Sequence, residues 1–264
     1  MTFRSLTAAA LVTLAALGSA SAADMSMPPP VYKALPPPLP VYSWTGCYVG
    51  GGGGYAFWNQ QSFLTNNGTP ITASQTNGGS GWFGQGQVGC DYQFTAPYFG
   101  LQTVIGAFSD FEGGNINGSS TIPTSGLGLT GTEREQSTWA VGGRAGVLVT
   151  PRFLTYFDGG YTQARFGGTN YNFATAGGGP SGVTLSSQTY NGWFIGSGFE
   201  YGFDWLGISG LFLKTEFRYS QYGGNGVNVP VSGVPFPGVF SLNSQKSTEF
   251  ISTELVYRFN WFGR

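Results

Sequence analysis

The chain has 264 residues, with 9% charged, 16% aromatic, 45 glycines, a formal net charge of −1 and no histidine. Soluble domains carry about 25% charge, so this composition argues against a dispersed soluble protein, and the lack of basic excess argues against nucleic-acid binding. Without histidine the commonest proton carrier and metal ligand is missing.

Taken in chain order, Arg4 precedes the apolar run Ala8–Leu17, and Ala20-Ser21-Ala22 follows. A charged start, a short apolar core and a small-x-small site describe a secretory signal peptide over 1–22, cut before Ala23. The run is shorter than the ~20 residues a spanning helix needs, and no cysteine follows it to take a lipid. Residues 23–43 hold Pro28-Pro29-Pro30 and Pro36-Pro37-Pro38-Leu39-Pro40, an extended periplasmic N-terminal segment that serves as a tether. The expected barrel domain occupies 44–264.

From Cys47 onward, eight segments alternate with period two: 47–58, 82–94, 98–110, 138–149, 153–166, 190–203, 211–222 and 249–259. Each has the length of a tilted membrane strand. Long connections at 59–81, 111–137, 167–189 and 223–248 alternate with short ones at 95–97, 150–152 and 204–210. That rhythm predicts an all-β fold, an eight-stranded antiparallel up-and-down transmembrane β-barrel with four long extracellular loops. All fifteen prolines fall outside the segments, as strands without a free N–H require. If the more apolar parity faces lipid, ten of the twelve charged residues in the segments point inward: Asp91, Asp110, Arg144, Asp158, Glu200, Lys214, Glu216, Arg218, Glu254 and Arg258. Arg165 and Glu249 are the exceptions, both at loop ends. Aromatics gather at segment ends, among them Tyr48, Trp58, Trp82, Tyr92, Trp139, Phe153, Trp193, Tyr201, Tyr257 and Phe259, and read as interfacial girdles.

The run Gly50-Gly51-Gly52-Gly53-Gly54 lies between strand residues. Its inward members, Gly50, Gly52 and Gly54, are expected to make room for large inward groups, and Gly51 and Gly53 to allow tight curvature. Among the inward charges, Arg144 and Asp158 lie seven residues either side of Pro151 and face each other in a symmetric hairpin. Glu200, Lys214, Glu216 and Arg218 stand on adjacent walls. Three acids and three bases balance, which reads as a salt-bridged plug, with a charge-selective constriction as the alternative. Cys47 and Cys90 share the outward parity on consecutive strands. They form either a disulfide or two lipid-facing thiols, and the lipid-facing reading is favoured over the bridge.

Catalysis has little to work with. There is no histidine and no G-x-S-x-G. The match Gly84-x-Gly86-x-x-Gly89 lies within a strand with no helix after it, so it is not a dinucleotide site. No catalytic, metal or cofactor-binding residue and no cofactor is assigned.

Several stretches resemble one family. These are Trp44-Thr45-Gly46-Cys47-Tyr48-Val49-Gly50 after the proline-rich spacer, Trp139-Ala140-Val141-Gly142-Gly143-Arg144-Ala145-Gly146, Phe153-Leu154-Thr155-Tyr156-Phe157-Asp158-Gly159-Gly160, Gly192–Tyr201 and Leu213–Tyr219. The set resembles the alphaproteobacterial outer-membrane barrel proteins of the RopB type, related to small porin-like surface proteins of brucellae and rhizobia. The chain departs from them at Cys47, often aromatic there, and at Gln102 and Val104, often acidic. The resemblance implies a C-terminal strand, ending near Phe259, read by the outer-membrane assembly machinery, although Asn260–Arg264 follow it.

The sequence therefore predicts an outer-membrane β-barrel with a structural, surface-exposed envelope role and a lumen plugged by inward charges. The alternatives are a narrow porin-like channel and loop-mediated host, phage or haem binding. The expected partners are outer-membrane lipid and the assembly machinery, with loops extracellular and the N-terminus periplasmic.

Overall fold

Alternating side chains, β-branched and aromatic on one face and polar on the other, hold this chain extended, because each face then meets its own solvent. The computed structural model describes residues 42–259 apart from 99, 123–127, 176–177, 204–207, 209 and 234–237. The expected leader at 1–22, all of the proline-rich segment but its last two residues, and the tail Asn260–Arg264 lie outside them. Among the described residues there are eleven strands: β1 (Gly46–Asn66), β2 (Thr69–Pro70), β3 (Gln75–Thr95), β4 (Gln102–Ile122), β5 (Leu129–Thr150), β6 (Phe153–Phe166), β7 (Thr169–Phe173), β8 (Pro180–Leu185), β9 (Gln188–Gly202), β10 (Leu211–Ser232) and β11 (Phe240–Phe259).

The long strands β1, β3, β4, β5, β6, β9, β10 and β11 pair antiparallel, each with the next, and β11 returns to β1 from Cys47↔Phe259 to Asn66↔Phe240. The fold is an up-and-down antiparallel β-barrel. Three short strands exceed the expected eight: β2 pairs with β1, and β7 and β8 pair with each other and with the far ends of β5 and β10.

The strands also outrun the expected segments. Much of 59–81, 111–137 and 223–248, read from sequence as loop, is strand. β1 and β11 stay paired through Asn59↔Ser247 and on to Asn66↔Phe240. Nine residues from Trp58 to Asn66, at ~3.3 Å each and a tilt of ~40°, raise the wall by roughly 20 Å. β10 runs through Pro230, which pairs with Ser241. Its pairing on the other side stops at Tyr222↔Gly192 and resumes at Val231↔Leu185, so the missing N–H falls where one neighbour suffices. At the opposite end, called here the turn end, the connections are tight. Gly100, at φ 62°, closes the β3–β4 turn and donates its N–H to Ala96 O at 2.9 Å.

Outward faces carry exposed Trp82, Val88, Val141, Phe157, Ile195, Phe217, Ile251 and Leu255. Ring contacts mark one girdle at Tyr55, Phe57, Trp82, Trp139, Tyr161, Trp193 and Tyr219, and another near the turn end at Tyr92, Phe153, Phe199, Tyr201, Tyr257 and Phe259. Trp139 Nε1 donates to Gln163 at 3.0 Å on this outer face, as an interfacial indole does. Tyr48 and Trp58, expected in the girdles, are instead buried in the lumen. They occupy the inward parity of β1, and hydropathy alone does not separate an interfacial ring from an interior one.

The glycine run meets its expectation at Gly50 and Gly54, which lie against side chains of β11 and β3, but not at Gly52, which meets only backbone. A Cβ on Gly52 would lie 2.1 Å from Thr253 O, and one on Gly54 2.2 Å from Ile251 O. At Gly52 the inner side of β1 is filled by the backbone of β11, which permits a sharp corner in the wall, while Gly50 lies against the Glu254 and Val256 side chains and Gly54 also against the Phe83 ring. Large inward rings lie against other glycines: Tyr48 against Gly89, Phe194 against Gly142 and Gly160, and Trp58 against Gly79 and Gly118.

Candidate functional site in the barrel lumen

Inward parity brings fourteen charged side chains of the described residues into the interior, all buried. Nine are acids (Asp91, Asp110, Glu112, Glu133, Glu135, Asp158, Glu200, Glu216, Glu254) and five are bases (Arg144, Lys214, Arg218, Lys246, Arg258). The balance of three against three expected from sequence does not hold. The charges lie in three layers between aromatic clusters.

The layer nearest the turn end is neutral. Arg258 donates to both Glu200 oxygens at 2.7 and 2.8 Å and to Asp91 at 2.6 Å. Arg144 pairs with the same Asp91 and reaches Glu200 at 3.2 Å. Two forked guanidiniums thus bridge two carboxylates from β3 and β9 across the bore, the geometry in which arginine is strongest. Tyr48 lies 4.5 Å from the Arg144 guanidinium, and Trp44 and Tyr48 lie 4.5 and 4.8 Å from that of Arg258. Trp44, just before β1, is fully buried and donates Nε1 to Pro151 O in the β5–β6 turn at 3.1 Å. It packs against Phe212, with ring centres 4.8 Å apart, at this end. The segment-based reading missed this role because Trp44 precedes the first alternating segment.

The middle layer holds the densest charge. Lys214 contacts Glu216 at 2.7 Å and Glu254 at 3.1 Å, and donates to Gln87 at 2.8 Å. Arg218 reaches Asp110 and Glu216, each at 2.7 Å, and Glu112 at 3.4 Å. Its guanidinium carbon is 4.3 Å from the Phe194 ring centre and 5.1 Å from that of Phe250. The Tyr156 hydroxyl donates to Glu216 at 3.0 Å. Arg144 and Asp158 are opposite in register, but they form no ion pair. Arg144 reaches over to Asp91 and Glu200, and the shorter Asp158 stays against the wall in space left by Gly196, with neither oxygen hydrogen-bonded.

The third layer lies beyond the upper girdle, outside the spanning part. Lys246 pairs with Glu133 at 2.8 Å, donates to Gln60, and packs against Trp58 and Phe166, 4.8 and 4.1 Å from their ring centres. Glu135 accepts from Thr138 at 2.7 Å and Thr248 at 3.3 Å. Burial holds the Lys246 ammonium below its ordinary range, with Glu133 pulling it back, and pushes the Glu135 carboxyl up. Above this layer a large apolar cluster, including Leu64, Phe166, Tyr171, Tyr190, Val229 and Leu242, fills the far end.

Cys47 and Cys90 face outward at the turn end and are joined in a disulfide, with Cα atoms 3.9 Å apart. This overturns the favoured reading of two lipid-facing thiols. The β1–β3 register places them directly opposite, which the position of each alone does not reveal.

A family comparison agrees with this architecture. A family model described as an outer membrane protein beta-barrel domain matches residues 9–259. The 31 kDa outer-membrane immunogenic proteins of Brucella melitensis and Brucella suis are each 29% identical over 211 residues, covering 78% of this chain and 82% of theirs. Among solved structures, the outer membrane protein OprG from Pseudomonas aeruginosa is similar at 10% identity and a TM-score of 0.46, over 84% of this chain and all of that one.

Proposed function

Because the chain belongs to the outer membrane protein beta-barrel domain family and so resides in the outer membrane, we propose that its eight long strands form a sealed transmembrane barrel with a structural, surface-displaying role. In this reading the turn end is periplasmic and the raised far end extracellular, as the short-turn and long-loop rhythm of such barrels implies. The strand ending near Phe259 is what the assembly machinery reads. The name of the Brucella relatives, immunogenic proteins, fits an exposed far end. The role assigns the chain no catalytic step.

One observation carries the sealed-lumen reading: ion pairs cross the bore rather than line it. Asp91 on β3 and Glu200 on the opposite wall, β9, are joined through Arg144 and Arg258, and Arg218 on β10 holds Asp110 on the opposite strand β4. Each crossing blocks the path that a solute would take, and the Trp44 stopper and the far-end apolar cluster close the two ends. Refolded protein in planar bilayers is expected to show no steady single-channel openings. The double variant Trp44→Ala, Arg258→Ala removes the stopper and weakens the turn-end crossing, leaving Arg144 and the Arg218–Asp110 pair in place, and is expected to show at most brief, noisy currents. Steady openings of the unaltered protein would replace this reading with the narrow-channel one.

A further inference from the structure

The middle layer has five carboxylates, Asp110, Glu112, Asp158, Glu216 and Glu254, facing only Lys214 and Arg218. So large an excess of buried negative charge is unfavourable unless something positive joins it. A second, independent feature shows where. At the corner of the wall, Gly52 on β1 is opposite Glu254 on one side and Gln85 on the other. Both point inward, and Asp110 stands opposite the next inward residue of β3, Gln87. Gln85 is only 6% exposed, yet neither its amide oxygen nor its amide nitrogen has a hydrogen-bond partner. Glu254 Oε2, Asp110 Oδ1 and Ser252 Oγ are likewise buried without partners. Lys214 and Arg218 are committed to the other oxygen of Glu254 and of Asp110.

We propose that this corner of the lumen binds a monovalent alkali cation together with its water, held by Glu254, Asp110, Gln85 and Ser252. The donor set is all hard oxygen, the type that sodium and potassium take. Protonating one carboxylate would cancel charge but leave the Gln85 amide and the Ser252 hydroxyl unpaired. A hydrated ion supplies positive charge for the carboxylates, and its water supplies both a donor and an acceptor for the amide. A divalent cage is disfavoured, because no three acidic, cysteine or histidine side chains converge as a metal centre among the described residues.

The proposal rests on the inward placement of these residues and not on the absence of conduction, so the bilayer recordings and the experiment below fail separately. Protein refolded in detergent is to be melted in sodium, potassium, calcium or choline chloride at equal ionic strength. Sodium or potassium is expected to raise the unfolding midpoint saturably above that in choline, since a ligand bound only by the folded state stabilises it. Glu254→Gln is expected to abolish the difference. Gln85→Leu, which removes a ligand oxygen without altering charge, is expected to weaken apparent affinity about tenfold or more, and it decides the matter if Glu254→Gln does not fold. Equal midpoints in alkali and choline salts would overturn the proposal, as would an undiminished alkali effect in both variants. Stabilisation by calcium well below the concentration at which sodium acts would overturn the monovalent assignment.

Discussion

At Gly52 a single methyl group decides whether β11 can fold over β1. The added Cβ would meet backbone, which cannot swing aside, at 2.1 Å. Gly52→Ala is therefore expected to destabilise the barrel by about 1–3 kcal/mol or more, through forced displacement of the strand. Gly86→Ala, whose Cβ meets nothing within 4 Å, should stay within about 0.5 kcal/mol of the parent. Unfolding midpoints in urea of the two refolded variants check this pair, and equal losses would contradict the corner. A different cost applies at Arg258. Its removal leaves Asp91 and Glu200 with only Arg144 between them, and breaking a buried pair from one side costs about 3–5 kcal/mol. Arg258→Ala alone is thus expected to lose more stability than Glu249→Ala, an exposed outward acid, in the same urea titration.

At the scale of strands, the extension above the girdle and the disulfide make separate predictions. Amides of 59–66 and 241–248 take part in the β1–β11 ladder, so they should exchange with deuterium about as slowly as those of 48–58. Exchange at the rate of an unstructured loop would contradict the raised wall. The Cys47–Cys90 bond closes a loop of 43 residues, worth about 3–4 kcal/mol in the unfolded-chain view. Reduction should lower the unfolding midpoint measurably, and unreduced denatured protein should titrate no thiol. How much of this the sequence shows depends on the solvent at each height. Within the membrane, lipid-facing Phe217 and Tyr219 contrast with inward Glu216 and Arg218, so parity was readable. Beyond the girdle the outward face meets water. There Gln245 and Ser247 alternate with inward Lys246 and Thr248, the hydropathy contrast vanishes, and Glu133, Glu135 and Lys246 read as loop. Pairing across the bore stayed illegible for another reason: long arginines choose partners over space, as Arg144 does in passing over Asp158 for Asp91.

For the molecule as a whole, composition and architecture express one constraint. A chain with few charges keeps most of them away from lipid by turning them inward, where a bore of eight strands is narrow enough for side chains to fill. Forked arginines, cation–π contacts and glycines packed against aromatics make that filling dense, and the proposed sealed lumen rests on it. The most direct measurement is amine labelling of the folded barrel in detergent with a small water-soluble acylating reagent, read residue by residue by mass spectrometry. Lys214 and Lys246 are both buried inside. They are expected to remain unmodified in the unheated protein and to react fully once it is boiled. Modification of either lysine in the folded state at a rate near that of the unfolded chain would contradict the sealed interior.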